Sequence, residues 1–332
     1  VCINVVPTLW KRTGVGRYTD EITKNLIHLN STLNYKFFYG VFPCSSIYSH
    51  KNNIFGITGK ILAKLSRKLP FYSKLYDIYW EPNFIPNPKI RSKRCVTTIH
   101  DLSFIKFQKM HPARRVKEFK NHFFLNINRS DVIIAVSEYV KSNIINDLNI
   151  DGEKIKVIPC GINNDLFYKV TDTDKLSSFR NAWKLPAKYI LYVGSIEPRK
   201  NLSNLLKAYD SLGKDFKKEY SLVMVGFMGW KNAEIINLIN KTNVILIQHA
   251  TDENLRLFYN CAEMFVYPSL DEGFGLPPIE AMICGTPSVV SNCSSLPEVC
   301  GDAAYYVDPY CIDNIADGIY KVITNNELRL SL

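Results

Sequence analysis

Short β-rich runs alternate with helical patterns along the whole chain, and this alternation restricts the fold more than any other feature of the sequence. The first series is VCINVV at 1–6, YKFFYG at 35–40, YDIYW at 76–80, CVTTI at 95–99, DVIIAVS at 131–137 and KIKVIP at 154–159. The second is YILYVG at 189–194, SLVMVG at 221–226, NVILIQ at 243–248, MFVYPS at 264–269 and PSVVSN at 287–292. Strands separated by helices are the mark of parallel sheets covered on both faces, so the expectation is α/β architecture. A chain of 332 residues is natural for two domains. The polar stretch GINNDLFYKVTDTD places their join near residues 161–175, and the domains are expected at 1–165 and 166–332. Both read as doubly wound, and such sheets bind ligands beyond the carboxyl ends of their strands. The segments directly after strands are therefore the ones to search.

The run DEGFGLPPIEAMICGTP is the richest of these. Pro277 and Pro278 suit the first turn of a helix and Gly285 the residue that stops it, which predicts a helix over about 277–284. Ile279, Met282 and Ile283 are expected to form its buried face, leaving Glu280 in the first turn near unpaired N–H groups. Gly273 and Gly275 let backbone amides approach a ligand, so Glu272 and Glu280 flank a plausible phosphate cradle. The same residues also fit an acidic turn that stabilises a helix dipole.

Other strand ends carry weaker signals. In PTLWKRTGVGRYTDEITKNL, Gly14 and Gly16 lead into a helical pattern with Ile22, Leu26 and Leu29 on one side, and Arg17 adds charge. A phosphate loop or a purely structural turn both fit, because the third glycine of a dinucleotide fingerprint is absent. His100 and Asp101 follow CVTTI, at the end of the sheet where ligands bind. Beyond Gly194, Arg199 and Lys200 form an anion site at a helix entrance, with Asn201 placed to cap a helix whose Leu202, Leu205, Leu206 and Tyr209 face inward. A strand ending near Gln248 brings the backbone of His249 and Ala250 to where a nucleobase edge can be read, while Leu255, Phe258 and Tyr259 read as helix packing. Asp172 and Asp174 form a D-x-D of the kind that binds a metal with diphosphate, but their place in the connection favours a solvated linker.

YPSLDEGFGLPPIEAMICGTPSVVSNCSSLPEVCGDAAYYVDP, together with EPRKN, HDLSF and TGVGRYT, resembles the retaining glycosyltransferases of family four. The resemblance implies the GT-B fold, two Rossmann-like domains facing a cleft, with the N-terminal domain on the acceptor side and the C-terminal one binding a nucleotide sugar. It implies that Glu280 binds the ribose and that Glu272 lies by the donor sugar. The amides of Gly273, Phe274, Gly275 and Leu276, with Arg199 and Lys200, take the diphosphate. It further puts the loop of Gly14, Gly16 and Arg17 toward phosphates and acceptor, His100 near the transferred sugar, and His249 and Ala250 at the base. The implied reaction moves a hexose to an acceptor hydroxyl with retention and without a metal or other cofactor. The TGVGRYT opening is similar to surface-polysaccharide mannosyl- and rhamnosyltransferases, which favours GDP-mannose as donor and a lipid-linked O-antigen saccharide as acceptor. Members of the family end in a helix that returns to the first domain; the run up to Leu332 reads as polar and helical, and that helix is expected to be missing or cut short. A sugar-nucleotide epimerase, a phosphorylase and a silent sugar-nucleotide binder share the same contacts.

Charge divides unevenly. Residues 1–160 hold 25 Lys and Arg against 11 Asp and Glu, or +14, and the rest hold 16 against 20, or −4, for the total of +10. Anionic lipid or a phosphorylated acceptor suits this asymmetry, whereas no nucleic-acid motif accompanies it. In GKILAKLSRKLPFYSKLY, Ile61, Leu62, Leu65 and Leu69 share one helical side, and Lys60, Lys64 and Lys68 recur every four residues. With Arg67 and Lys74 also basic, this reads as a membrane-surface helix ended by Pro70, or as a solvated one. Nine cysteines without a C-x-x-C pair suit reduced, buried thiols, no apolar run is long enough to span a bilayer, and no export signal opens the sequence. The location expected is the cytoplasm, in peripheral contact with the inner face of its membrane.

Overall fold

The computed structural model describes residues 1–9, 14–29, 32–44, 59–61, 63–65 and 72–332. The chain forms two compact units, one of Val1–Leu102 with Arg114–Cys160 and one of Ser103–Ala113 with Gly161–Leu332. The short segment Ser103–Ala113, which lies within the first half of the sequence, thus belongs to the second unit.

The first unit holds a sheet of β1 (Cys2–Asn4), β2 (Lys36–Tyr39), β3 (Phe42–Cys44), β4 (Leu75–Glu81), β5 (Arg91–Ile99), β6 (Val132–Ala135) and β7 (Ile155–Val157). Their order is β3-β2-β1-β4-β5-β6-β7, parallel throughout except for the β2–β3 hairpin. Strand geometry sends alternate residues to opposite faces. Ile3, Phe37, Tyr39 and Trp80 accordingly join one apolar cluster, while Cys2, Phe38 and Tyr79 join another. Helix α1 (Gly14–His28) starts at the first glycine, and Gly16 lies within its first turn. Ile22 and Leu26 pack on the core as expected, but Leu29 lies past the helix end and is exposed.

The second unit holds β8 (Tyr189–Val193), β9 (Ser221–Val225), β10 (Ile245–Ile247), β11 (Met264–Tyr267), β12 (Ser288–Ser291) and β13 (Tyr305–Val307). Every pairing is parallel and the order is β10-β9-β8-β11-β12-β13. β8, β11 and β12 are buried at every position, the signature of strands covered on both faces. Both units are therefore Rossmann-like. In each, strand order reverses at one point, between β1 and β4 in the first and between β8 and β11 in the second. Crevices for ligands open beyond the strand ends at such points.

Several expectations are corrected. Asn201 does not cap its helix; it adopts the left-handed conformation at φ 60° and its amide donates to the Pro309 carbonyl at 2.6 Å. The connection after Cys160 is less solvated than its composition implies, because Phe167 is fully buried. Asp172 caps the helix Thr173–Ala182 by accepting from the Lys175 amide at 2.9 Å, which gives the D-x-D a structural task. Of the basic 60–74 stretch, Lys60, Ile61, Lys64, Leu65 and Lys74 are described, and Ile61 and Leu65 are exposed. Leu62, Arg67, Lys68, Leu69 and Pro70 lie outside the described residues. Among the described residues no helix is long and apolar enough to cross a membrane.

Candidate functional site

At the switch point of the second unit, the chain leaves β8 through Gly194 and makes a tight turn, Pro198–Lys200, before helix α2 (Leu202–Ser211). The loop after β11 runs alongside: the Leu270 amide donates to the Arg199 carbonyl at 3.0 Å. This backbone link sets four charged side chains together. Lys200 Nζ donates to Glu272 Oε1 at 2.5 Å and to the Tyr267 hydroxyl at 2.8 Å. Arg199 Nη1 donates to the Asp271 carbonyl and lies 3.4 Å from Glu272 Oε2, while Nη2 lies 3.1 Å from Glu197 Oε1. Ser269 Oγ donates to Glu272 Oε1 at 2.6 Å.

Two cations thus face two carboxylates in a nearly dry place, with Glu272 and Lys200 each 7% exposed. Burial on its own would raise the Glu272 carboxyl, but Lys200, Arg199 and the hydrogen bonds from Lys200 and Ser269 outweigh it and hold it at about 2. For Lys200, burial and the neighbouring Arg199 lower the ammonium from the usual lysine range against the pull of Glu272 and Glu197. One carboxylate oxygen, Glu197 Oε2, is buried with no hydrogen-bond partner. Such an oxygen is costly to leave unmet and suits a ligand hydroxyl or a water.

The glycine loop continues from Glu272. Gly275 has φ 102°, which calls for glycine, and a Cβ there would meet the tip of Leu296 at 2.7 Å and push it aside. Ser295 Oγ lies 2.9 Å from the carbonyls of Glu272 and Phe274 and shares its proton between them, fixing the loop's curve. Helix α3 (Leu276–Ile283) follows, with Pro277 and Pro278 in its first turn as expected. Its deeply buried residues are Pro278, Glu280 and Ala281, whereas Ile279, Met282 and Ile283 are only partly covered. Glu280 is therefore not left open beside the helix start; it is 3% exposed and its Oε2 accepts from the Tyr259 hydroxyl at 2.9 Å. Past β10, which ends one residue before Gln248, His249 is exposed and Ala250 partly buried.

In the first unit, His100 follows β5 and packs edge-on between Tyr18 of α1, at 4.8 Å between ring centres, and Phe84, at 5.5 Å. Its Nε2 lies 2.8 Å from the Pro82 carbonyl. A carbonyl only accepts, so Nε2 carries the proton and Nδ1 is the bare nitrogen. Burial lowers the imidazole from its ordinary range, against the opposing effects of that bond and of Asp101. Gly14 is exposed, and Gly16 and Arg17 lie in the first turn of α1; residues 10–13 of their loop are outside the described residues.

The structure therefore gathers Arg199, Lys200 and Glu272 into one network, carries Gly273, Phe274, Gly275 and Leu276 on from it, and seats Glu280 on the following helix. Glu197, Tyr267 and Ser269 are members that the sequence reading passed over, although EPRKN and YPSLDEGF contain them. Tyr259 was read as packing alone, and its hydroxyl gave no periodic signal to suggest otherwise.

Residues 174–332 match the family described as glycosyl transferases group 1, and residues 73–166 match glycosyltransferase family 4. Over 97% of its length the chain is 32% identical to the O-antigen chain mannosyltransferase B of Escherichia coli, covering 90% of that protein. It is 28% identical to the O-antigen chain mannosyltransferase RfbU of Salmonella typhimurium over 74% of the chain and 69% of that protein. Among solved structures, sucrose-phosphate synthase from Thermosynechococcus elongatus superposes with a TM-score of 0.71 at 19% identity, over 99% of this chain and 91% of that one.

Proposed function

The chain belongs to the group 1, family 4 glycosyltransferases, and on that premise we propose that it moves a mannose-like hexose from a nucleotide diphosphate, GDP-mannose being favoured, to a hydroxyl of a growing O-antigen-type saccharide, with retention. The observation that carries this reading is the buried, charge-balanced group of Glu197, Arg199, Lys200 and Glu272 at the switch point of the second unit. In the free protein the two carboxylates occupy the cations. Donor phosphates bring their own negative charge, so Lys200 and Arg199 exchange carboxylate for phosphate and Glu272 is released to accept from sugar hydroxyls. The amides of Gly273, Phe274, Gly275 and Leu276 add fixed donors, Glu280 takes the ribose, and the backbone at His249 and Ala250 meets the base. In the first unit, His100 and the start of α1 at Gly14, Gly16 and Arg17 are assigned as substrate contacts.

The chemistry follows from where charge develops. As the bond from the anomeric carbon to the phosphate oxygen breaks, negative charge gathers on the diphosphate, and cations already fixed in a dry site stabilise it without reorganising. The acceptor oxygen forms its bond on the same face, and its proton passes to the departing phosphate. Because lysine and arginine neutralise the leaving group, no metal is required; activity in excess EDTA tests this. The lipid-linked acceptor rests on the +14 of residues 1–160. The test of the site is release of GDP from GDP-mannose with a mannosyl acceptor: Arg199→Ala should be strongly impaired, and a wild-type rate in that variant would reject the diphosphate role.

A further inference from the structure

The first unit has its own buried carboxylate at its own switch point. Asn4 ends β1 and Glu81 ends β4, the two strands between which the order reverses. Glu81 is 1% exposed and accepts four hydrogen bonds. Asn4 Nδ2 reaches both oxygens, at 2.9 and 2.8 Å, the Tyr79 hydroxyl meets Oε2 at 2.5 Å, and the Asn83 amide meets Oε1 at 3.1 Å. The orientation of Asn4 is fixed, because its Oδ1 accepts from the Val6 amide at 3.1 Å. Tyr79 in turn accepts from the Asn87 amide at 3.2 Å, which commits its own proton to Glu81. Every partner is a donor and none is a cation, so the arrangement is built around the ionised carboxylate.

What this arrangement holds is the turn 81–84. The Asn83 amide donates to Glu81, Phe84 at φ 60° donates its own amide hydrogen to the Thr98 carbonyl at 3.0 Å, and the Pro82 carbonyl between Glu81 and Asn83 accepts from His100 Nε2. We propose that Glu81 is a positioning residue for His100: through Asn83 and the Pro82 carbonyl it locks the imidazole with Nδ1 as the nitrogen presented to substrate. This rests on the reading of His100 as a substrate contact. Glu81 sits one residue from the carbonyl that fixes the imidazole, at the switch point of this sheet, where ligands of such folds bind.

Protonation of Glu81 must cost at least one of the four bonds, so the lock is complete only in the ionised form. Burial pushes this carboxyl up to about 8 despite the hydrogen bonds from Tyr79, Asn4 and Asn83 that oppose the shift. The titratable groups facing it, Tyr79 and Cys95 of β5, are both raised by burial, the cysteine to about 11, and stay neutral in this range. Around His100 the facing groups are Asp101 and Tyr18, the latter at about 12.

The experiment is 15N NMR of histidine-labelled full-length protein across pH 6–9, with His100 assigned from the His100→Ala spectrum and GDP release from GDP-mannose measured on the same samples. In the wild type the His100 Nε2 resonance should inflect near the pH at which Glu81 ionises. Glu81→Gln, a fixed mimic of the protonated state, should abolish the inflection and lower kcat by roughly 10- to 100-fold at pH 9, where the wild-type carboxyl is ionised, with little difference at pH 6. Asn4→Ala, which removes two bonds to the charged form, should move the inflection to higher pH and serves as the deciding variant should Glu81→Gln not fold. An inflection unchanged in both variants, or in Asn4→Ala alone where Glu81→Gln does not fold, would overturn the proposal. If the resonances respond as expected while His100→Ala releases GDP at the wild-type rate, positioning stands and the substrate-contact reading fails.

Discussion

Lys200 and Arg199 differ in what their loss would do, although they are neighbours in one turn. Arg199 keeps a partner set of backbone carbonyl and carboxylates, and its guanidinium is the planar group suited to phosphate. Arg199→Ala should lower kcat by about 10²–10³, equivalent to about 3–4 kcal/mol of leaving-group stabilisation. Lys200→Ala removes the same kind of contact and also leaves the buried Glu272 without its nearest cation, an imbalance that costs about 3–5 kcal/mol of stability. A thermal melt belongs beside the rate measurement for both: Arg199→Ala in turn leaves the buried Glu197 without its cation, so melting temperature should fall in each variant, and further in the lysine one, whose contact to Glu272 is 2.5 Å against 3.1 Å from Arg199 to Glu197. Glu81 gives a pH signature of opposite sense to an ordinary salt-bridged acid. Its carboxyl is raised from 4.5 to about 8, so between those values the folded chain holds a proton that the unfolded chain has released. Stability present below pH 4.5 is therefore lost as pH rises through 8. Melting temperatures should fall from pH 5 to pH 8 in the wild type and stay flatter in Glu81→Gln; parallel curves would contradict the burial argument. That Arg199, Lys200 and Glu272 stand together was legible because motifs carried them. Glu81 was not, because nothing in YDIYWEPN distinguishes a carboxylate that accepts four bonds from one that faces water.

Elements were read well where patterns were long and poorly where they were short. Strands of four or more residues at β8, β9, β11 and β12 lie where the apolar runs place them, because continuous burial leaves no alternation to mislead. The three-residue strands β3 and β13 went unseen, whereas β1, β7 and β10, equally short, lie inside longer apolar runs that marked them. Asn201 illustrates why caps are harder: the residue type is right for a cap, but the turn before it already forces φ to 60° and turns the side chain to Pro309. Two substitutions probe elements directly. A Cβ on Gly226, just after β9, would lie 1.7 Å from the Gly194 carbonyl oxygen after β8. Gly226→Ala should therefore force the two strand ends apart and destabilise the second unit by about 3 kcal/mol or more, seen as a lower denaturation midpoint. Asp172→Ala removes the cap of Thr173–Ala182 and should cost only about 1 kcal/mol, with transfer activity kept in added Mg²⁺ and in EDTA alike.

At the scale of the molecule, two Rossmann-like units each place a buried carboxylate at their own switch point, Glu81 in one and Glu272 in the other. Their environments push the two acids in opposite directions, up to about 8 without a cation and down to about 2 with two. The basic half adds a further expectation. Each Lys or Arg near an anionic surface is worth about 1 kcal/mol and is screened within about 8 Å at physiological salt. Vesicles rich in anionic lipid should therefore bind the chain more tightly than neutral ones, with affinity falling as salt rises; equal binding to both would remove the membrane reading. The central chemical proposal is retaining, metal-free transfer, and the anomeric configuration of the product tests it most directly. With GDP-α-mannose, a mannosyl acceptor and EDTA, NMR of the product should show a new α-linked mannose whose formation slows about 10²–10³-fold in Arg199→Ala. A β-linked product, or transfer that stops in EDTA and returns with Mg²⁺ or Mn²⁺, would contradict it.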